Sequence, residues 1–292
     1  MSFETRDAVD PKLPLWNTIY RAYATWLSNP LDVLRISWLW LALAILTSLV
    51  EWSSISGTVA DAGRESRPHI PIEISVFVGL SNFFLMLSPF SIAVAWHRRI
   101  ILDEQPRFSG SNVFTKSLWY YIGAGILITL TAWLPIVLIF LITAVFSMLL
   151  KVAGTQLGPL GFVFLIPLIL VFYLMSITIV LRLSLLLPAR AVGDFGRTFK
   201  ETWRRTRGNT WRIFWGFLAC TLPTTIVVAI AMWMVIGFPT AQTLADGSFK
   251  ARLAVANPIF FICYLLIWPV AIGFLSLSYQ FFFQRDRFGV FD

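Results

Sequence analysis

The chain has 292 residues, of which 58% are hydrophobic and 13% charged, and its mean hydropathy is +0.76. Soluble domains carry roughly 25% charged residues, so a water-soluble monomer is excluded for want of polar surface. The net charge of +8 admits an anionic partner, but in so apolar a chain a Lys and Arg excess first marks the cytoplasmic loops of a membrane protein.

The first residues carry Glu4, Arg6, Asp7, Asp10 and Lys12 before any apolar run, which is not the pattern of a signal peptide. Next comes "PLWNTIYRAYATWLSNP", with Trp16, Ile19, Tyr20, Tyr23 and Leu27 on one helical face and Asn17, Arg21 and Thr25 elsewhere. It predicts an amphipathic helix lying in the membrane interface, anchored by Trp16, Tyr20 and Tyr23. About 20 apolar residues, rising about 1.5 Å each, cross a hydrocarbon core of about 30 Å. Runs of that kind lie at about 32–51, 72–97, 118–150, 161–187, 211–237 and 257–283. A single segment satisfies its own backbone in lipid only as a helix. The runs therefore predict six transmembrane helices in a single integral-membrane domain, 1–292. The third run exceeds what a crossing needs, so it tilts, kinks at Pro135 or extends past the bilayer. Pro89, Pro135, Pro167, Pro223 and Pro269 lie inside runs. Each removes a backbone hydrogen bond and favours a bend, giving either an irregular bundle or a hinge or cavity lined by freed carbonyls.

Before the fifth run, "DFGRTFKETWRRTRGN" spaces Phe195, Phe199 and Trp203 at i, i+4 and i+8, among Arg197, Lys200, Arg204, Arg205 and Arg207. This predicts a second interfacial helix, capped by Asp194 and stopped at Gly208, with its aromatic stripe toward acyl chains and its cations toward phosphates. Asn209 or Thr210 then caps the fifth span, which Trp211 anchors. At an offset of 180 residues Thr18 aligns with Thr198, Tyr23 with Trp203 and Asn29 with Asn209, the trace of a duplication or of shared membrane constraints.

Of the 23 Lys and Arg, only Arg64, Arg67, Lys151, Lys250 and Arg252 fall on the side opposite the termini. That asymmetry predicts both termini in the cytoplasm. Trp16, Trp96, Trp119, Trp203 and Trp211 fall near the inner interface, and Trp52 and Trp233 near the outer one.

The acidic residues all fall toward the two ends of the spans, away from the midplane where coupled transporters hold ionisable groups. Only His69 and His97 are histidines, and there is no HExxH, phosphate loop or GxSxG elbow. The cysteines, Cys220 and Cys263, sit in apolar runs and read as core residues. No catalytic set, metal site or cofactor is expected. At the inner face, "AWHRRIILDEQPRF" brings His97, Arg98 and Arg99, and "VLRLSLLLPAR" brings Arg182 and Arg190. Arg182 either snorkels to the headgroups or converges with His97, Arg98 and Arg99 on a phosphate.

"RLSLLLPARAVGDFGRTFKETWRRTRGNTWRIF" (182–214), "AVAWHRRIILDE" (93–104) and "YRAYATWLSNPLDVLR" (20–35) carry a resemblance. In these stretches the sequence resembles bacterial integral-membrane proteins related to YciC and to the membrane domain found beside glycerophosphoryl diester phosphodiesterases. The resemblance implies six helices in a bacterial inner membrane and, in some members, a partner phosphodiesterase domain, of which this sequence shows none. It supplies no catalytic residue.

The expectation is thus an all-α, multi-pass inner-membrane protein without enzymatic activity, an accessory or scaffold in lipid or envelope homeostasis. Its basic face, His97, Arg98, Arg99, Arg182, Arg190, Arg197, Lys200, Arg204, Arg205 and Arg207, would contact anionic lipid. A membrane or cytoplasmic protein is a further partner. The alternatives are a small-molecule or lipid transporter using the proline-bearing helices and a membrane enzyme of lipid metabolism using His97 and the nearby arginines. Nucleic acid is not an expected partner, since the aromatic stripe and the following span pin residues 197–212 to lipid.

Overall fold

The computed structural model describes residues 11–61, 71–106, 115–152, 159–237 and 248–284, without the side chains of 55–61, 159–165, 248–258 and 265–267. Arg6, Arg64, Arg67, His69, Arg107, Arg285 and Arg287 lie outside the described residues, as do Glu4, Asp7, Asp10, Glu65, Asp246, Asp286 and Asp292. The regular structure is helical: α1 (Leu15–Ser28), α2 (Pro30–Asp61), α3 (Ile72–Leu85), α4 (Ser88–Leu102), α5 (Lys116–Val152), α6 (Pro159–Leu183), α7 (Leu186–Ala191), α8 (Phe199–Arg205), α9 (Thr210–Ile236) and α10 (Ser248–Phe283). Six stretches are long and apolar enough to cross a membrane: Pro30–Ser54, Ile72–Leu102, Lys116–Val152, Ile166–Ala191, Thr210–Ile236 and Ile259–Phe283.

The prolines act differently from one another. The second span is interrupted at Met86 and Leu87, and Pro89 falls in the first turn of α4, where a missing N–H costs nothing. Pro135, Pro167 and Pro223 sit within continuous helices. Past Pro135, residues 137–148 of α5 carry no charge and expose Leu138, Leu141, Val145 and Met148, a surface suited to hydrocarbon rather than water.

The core gathers toward the end that carries α1, α7 and α8. There α10 runs through the middle, packed by α9, α2, α1 and α4, and every residue from Pro269 to Tyr279 is buried. Small residues make this possible, because without a hydrophobic driving force helices in lipid gain by close backbone approach. Gly216 of α9 lies against the Phe274 ring, where a Cβ would overlap it, and Gly273 faces Trp96 and Ala22.

α1 is apolar on two sides. Ala22 is buried, and Leu15, Ile19, Tyr23 and Trp26 pack on the core, while Trp16 and Tyr20 stand 78% and 72% exposed. The face read from the sequence as lipid-facing is therefore divided: Ile19 and Tyr23 turn to the bundle, and the Tyr23 hydroxyl donates to the Ala219 carbonyl (2.9 Å). Burial, with Cys220 nearby, raises the Tyr23 phenol above its ordinary pKa. Trp96, expected at the interface, is a core residue at 1% exposure.

Candidate functional site

The basic residues named above collect at one end of the bundle, and most of them bond to their own chain. α4 closes on Asp103 in the left-handed conformation (φ 55°), one that aspartate tolerates better than most residues. From its last turn Arg99 reaches Asp32 (Nε to Oδ2, 2.8 Å), Asp103, and the Asn29 side chain (3.3 Å). It thereby ties the joint between α1 and α2 to α4. Arg98 grips Glu104 with two nitrogens (2.8 and 2.5 Å) and donates to the Ala191 carbonyl at the end of α7 (3.1 Å).

His97 is wholly enclosed. Ser276 spends its hydroxyl proton on the Ile272 carbonyl (2.9 Å), so its oxygen must accept from His97 Nδ1 (2.7 Å). That leaves Nε2 to accept from the Tyr121 hydroxyl (3.4 Å). The tautomer is thus set by its neighbours. His97 cannot touch a headgroup; this corrects its assignment to the basic face.

Arg182 is also corrected. It is 8% exposed, so it neither snorkels nor meets His97. Its guanidinium lies 3.7 Å from the centre of the Trp203 ring, donates from Nε to Thr206 (3.0 Å), and donates to the Trp203 carbonyl. Stacking and directed donation together explain why arginine rather than lysine suits this position.

The segment before α8 is not helical. The helix starts at Phe199, because the Thr198 side chain caps it by accepting from the Glu201 N–H and Gly193 adopts φ 83°. Asp194 is therefore no cap. Its carboxylate accepts from Arg197 (2.8 Å) and from Tyr279 (3.0 Å). Arg190 donates to the carbonyls of Asp194 and Arg197 (3.1 and 2.8 Å), holding the turn. Arg197 also pairs with Glu201 (2.5 Å). Burial works against the Arg197 charge, but the two carboxylates outweigh it and raise its pKa. Arg205 bonds the Phe282 carbonyl (3.0 Å) and Glu201 (3.2 Å). The Arg197 and Arg205 guanidiniums both approach the Phe283 ring, at 5.1 and 5.2 Å.

The aromatic stripe is divided: Phe195 and Trp203 keep 39% and 40% of their surface exposed, and each also packs on the protein. Phe195 lies on Tyr120 (4.3 Å), Phe199 packs on the core between α5 and α6, and Trp203 covers Arg182. Also turned outward on α8 and its following turn are Lys200, Arg204 and Arg207, exposed and with no side-chain hydrogen bond or ion pair among the described residues. Trp211, 65% exposed, stands just beyond.

Gly208 makes the left-handed turn that was expected (φ 72°), and Asn209 precedes α9. The Asn209 side chain does not make the expected cap bond, and Thr210 already lies within α9; Asn209 instead accepts from the Leu13 N–H (2.9 Å) and donates to the Pro11 carbonyl (3.0 Å). Arg212 adds a bond to the Leu13 carbonyl (2.7 Å) and Lys12 one to Gly208 (3.2 Å). The order of surface helix, asparagine and span does occur twice. The two helices differ in length, 14 against 7 residues, and Tyr23 and Trp203 have unlike partners. Among the described residues no group of His, Cys, Asp and Glu could hold a metal.

Comparison with known protein families, characterised proteins and solved structures found no match to the chain.

Proposed function

We propose that this chain is a non-enzymatic, multi-pass protein of the bacterial inner membrane, an accessory or scaffold in lipid and envelope homeostasis, whose basic end meets anionic lipid. One observation carries the lipid contact. Almost every other arginine of that end is bonded to its own chain, while Lys200, Arg204 and Arg207 stand exposed on α8 and its following turn, a few residues before the exposed Trp211 that opens α9. Cations beside an interfacial indole suit a surface of phosphates over acyl chains. The bacterial inner membrane follows from the resemblance at 182–214, and cytoplasmic termini follow from the Lys and Arg asymmetry.

The test is protein in nanodiscs of mixed phosphatidylglycerol and phosphatidylcholine, with co-released lipids counted by native mass spectrometry. Each juxtamembrane cation contributes about 1 kcal/mol toward anionic lipid. Replacing Lys200, Arg204 and Arg207 together by Ala should therefore lower phosphatidylglycerol enrichment several-fold. Wild-type protein that holds both lipids equally sinks the reading. A second reading, a transporter of small molecules or lipids, is favoured by the helix break at Met86 and Leu87. Substrate-dependent flux in reconstituted vesicles would select it.

A further inference from the structure

A cavity of about 510 Å³ opens between α2, α3 and α10, within the range of small-ligand sites. It lies about 28 Å along α2 from Asp32, roughly one hydrocarbon thickness. Glu51 lines it. Asp32, Asp103, Glu104, Asp194 and Glu201 each pair with an arginine, and Glu73 is exposed at the start of α3. Glu51 is only half exposed, and its one contact among the described residues is the Asn82 amide, at 3.5 Å. Among the described residues no cation pairs with Glu51, and a carboxylate lining an apolar cavity is open to a cationic ligand.

The rest of the lining says what that is. Asn82 gives its NH2 to Glu51, which leaves its carbonyl oxygen as an acceptor. Thr47 spends its proton on the Leu43 carbonyl (2.8 Å), which leaves lone pairs. Glu51, Asn82 and Thr47 therefore offer acceptors, and the Ser48 hydroxyl, which also lines the wall, can accept as well as donate. Phe83 and Phe260 form the apolar side, and Phe260 begins a stack that continues through Tyr264 to Trp268 (5.9 and 5.1 Å). Aromatic faces beside a carboxylate favour a cation.

We propose that this cavity binds the primary ammonium head of an amphiphile, its three N–H donors to Glu51, Asn82 and Thr47 and its tail along Phe83 and Phe260. The ammonium belongs either to an aminophospholipid of the bilayer or to a free alkylamine. The site is independent of the lipid contact at the basic end and of the chain's orientation.

Full-length protein in neutral maltoside detergent is titrated with dodecylamine and with dodecanol, and bound amphiphile is counted by native mass spectrometry. The wild type should prefer the amine about tenfold, the worth of one charge-assisted hydrogen bond. The isosteric Glu51→Gln should abolish that preference, and Glu73→Gln should keep it. Gly79 lines the cavity, and a Cβ there meets nothing within 4 Å, so Gly79→Leu should weaken both ligands. Equal binding of amine and alcohol by the wild type, a preference that survives Glu51→Gln, or no effect of Gly79→Leu overturns the proposal. A second arm uses nanodiscs containing phosphatidylethanolamine and phosphatidylcholine. Glu51-dependent retention of phosphatidylethanolamine assigns the ammonium to the bilayer. An amine preference in detergent without such retention assigns it to a free amphiphile.

Discussion

Removing a partner of His97 leaves a buried group unpaired, whereas the intact chain from Tyr121 through His97 to Ser276 and the Ile272 carbonyl has none. Ser276→Ala strands the Nδ1 proton and should cost about 1 kcal/mol, the usual scale for such bonds between membrane helices. Tyr121→Phe should cost less, because its bond is long. Thermal unfolding of detergent-purified protein measures both. The more heavily linked Arg99 gives a sharper contrast. Arg99→Met leaves Asp32, only 9% exposed at its side chain, without its nearest cation and should cost about 3 kcal/mol. Combining it with Asp32→Leu should restore part of the loss, a coupling of about 1–3 kcal/mol. The sequence showed His97 and Arg182 near the end of apolar runs, and depth was legible to that extent. Their partners were not. His97 pairs with a serine on the last helix, and Arg182 with a carbonyl and an indole face, features that leave no local pattern in the chain.

At the scale of elements, apolar run length located the spans within a few residues, because every helix crossing lipid must satisfy its backbone internally. Short helices were harder. The i, i+4, i+8 spacing of Phe195, Phe199 and Trp203 suggested one helix, but Gly193 and the Thr198 to Glu201 cap set its start at Phe199. That cap was legible as a Ser/Thr-x-x-Glu pattern and outranks the periodicity. For α1 the spacing gave a helix correctly but could not tell an apolar side facing lipid from one facing α9 and α10. Arg182 fastens α8 to the end of α6, so Arg182→Lys loses the stack and the directed bond to Thr206. Trypsin should then cut after Arg204, Arg205 or Arg207 faster than in the wild type; unchanged cleavage would mean the helix is held otherwise. Gly216→Ala should destabilise by about 1–3 kcal/mol, since α9 must move off the Phe274 ring.

Across the whole molecule, α10 is the member to which α9, α2, α1 and α4 all bind, so the last span organises the spans before it. The Lys and Arg asymmetry makes a prediction of its own. Reporters that work only outside the cytoplasm should be active when fused at residues 60, 155 and 245 and silent at either terminus. One active terminal fusion would reverse the orientation and move the exposed Lys200, Arg204 and Arg207 to the other leaflet.

The bonds of Leu13 to Asn209 and Arg212 join the start of the chain to a segment 196 positions later. During synthesis, at about 5–20 residues per second, that separation amounts to roughly 10–40 s. For this interval α1 has emerged while the α9 and α10 surfaces it mainly packs on do not yet exist. Its inward face, Leu15, Ile19 and Ala22, must wait in lipid or against the insertion machinery. A ribosome stalled before residue 209 would therefore carry a first helix held only by α2 and α4, without the α9 and α10 surfaces it mainly packs on.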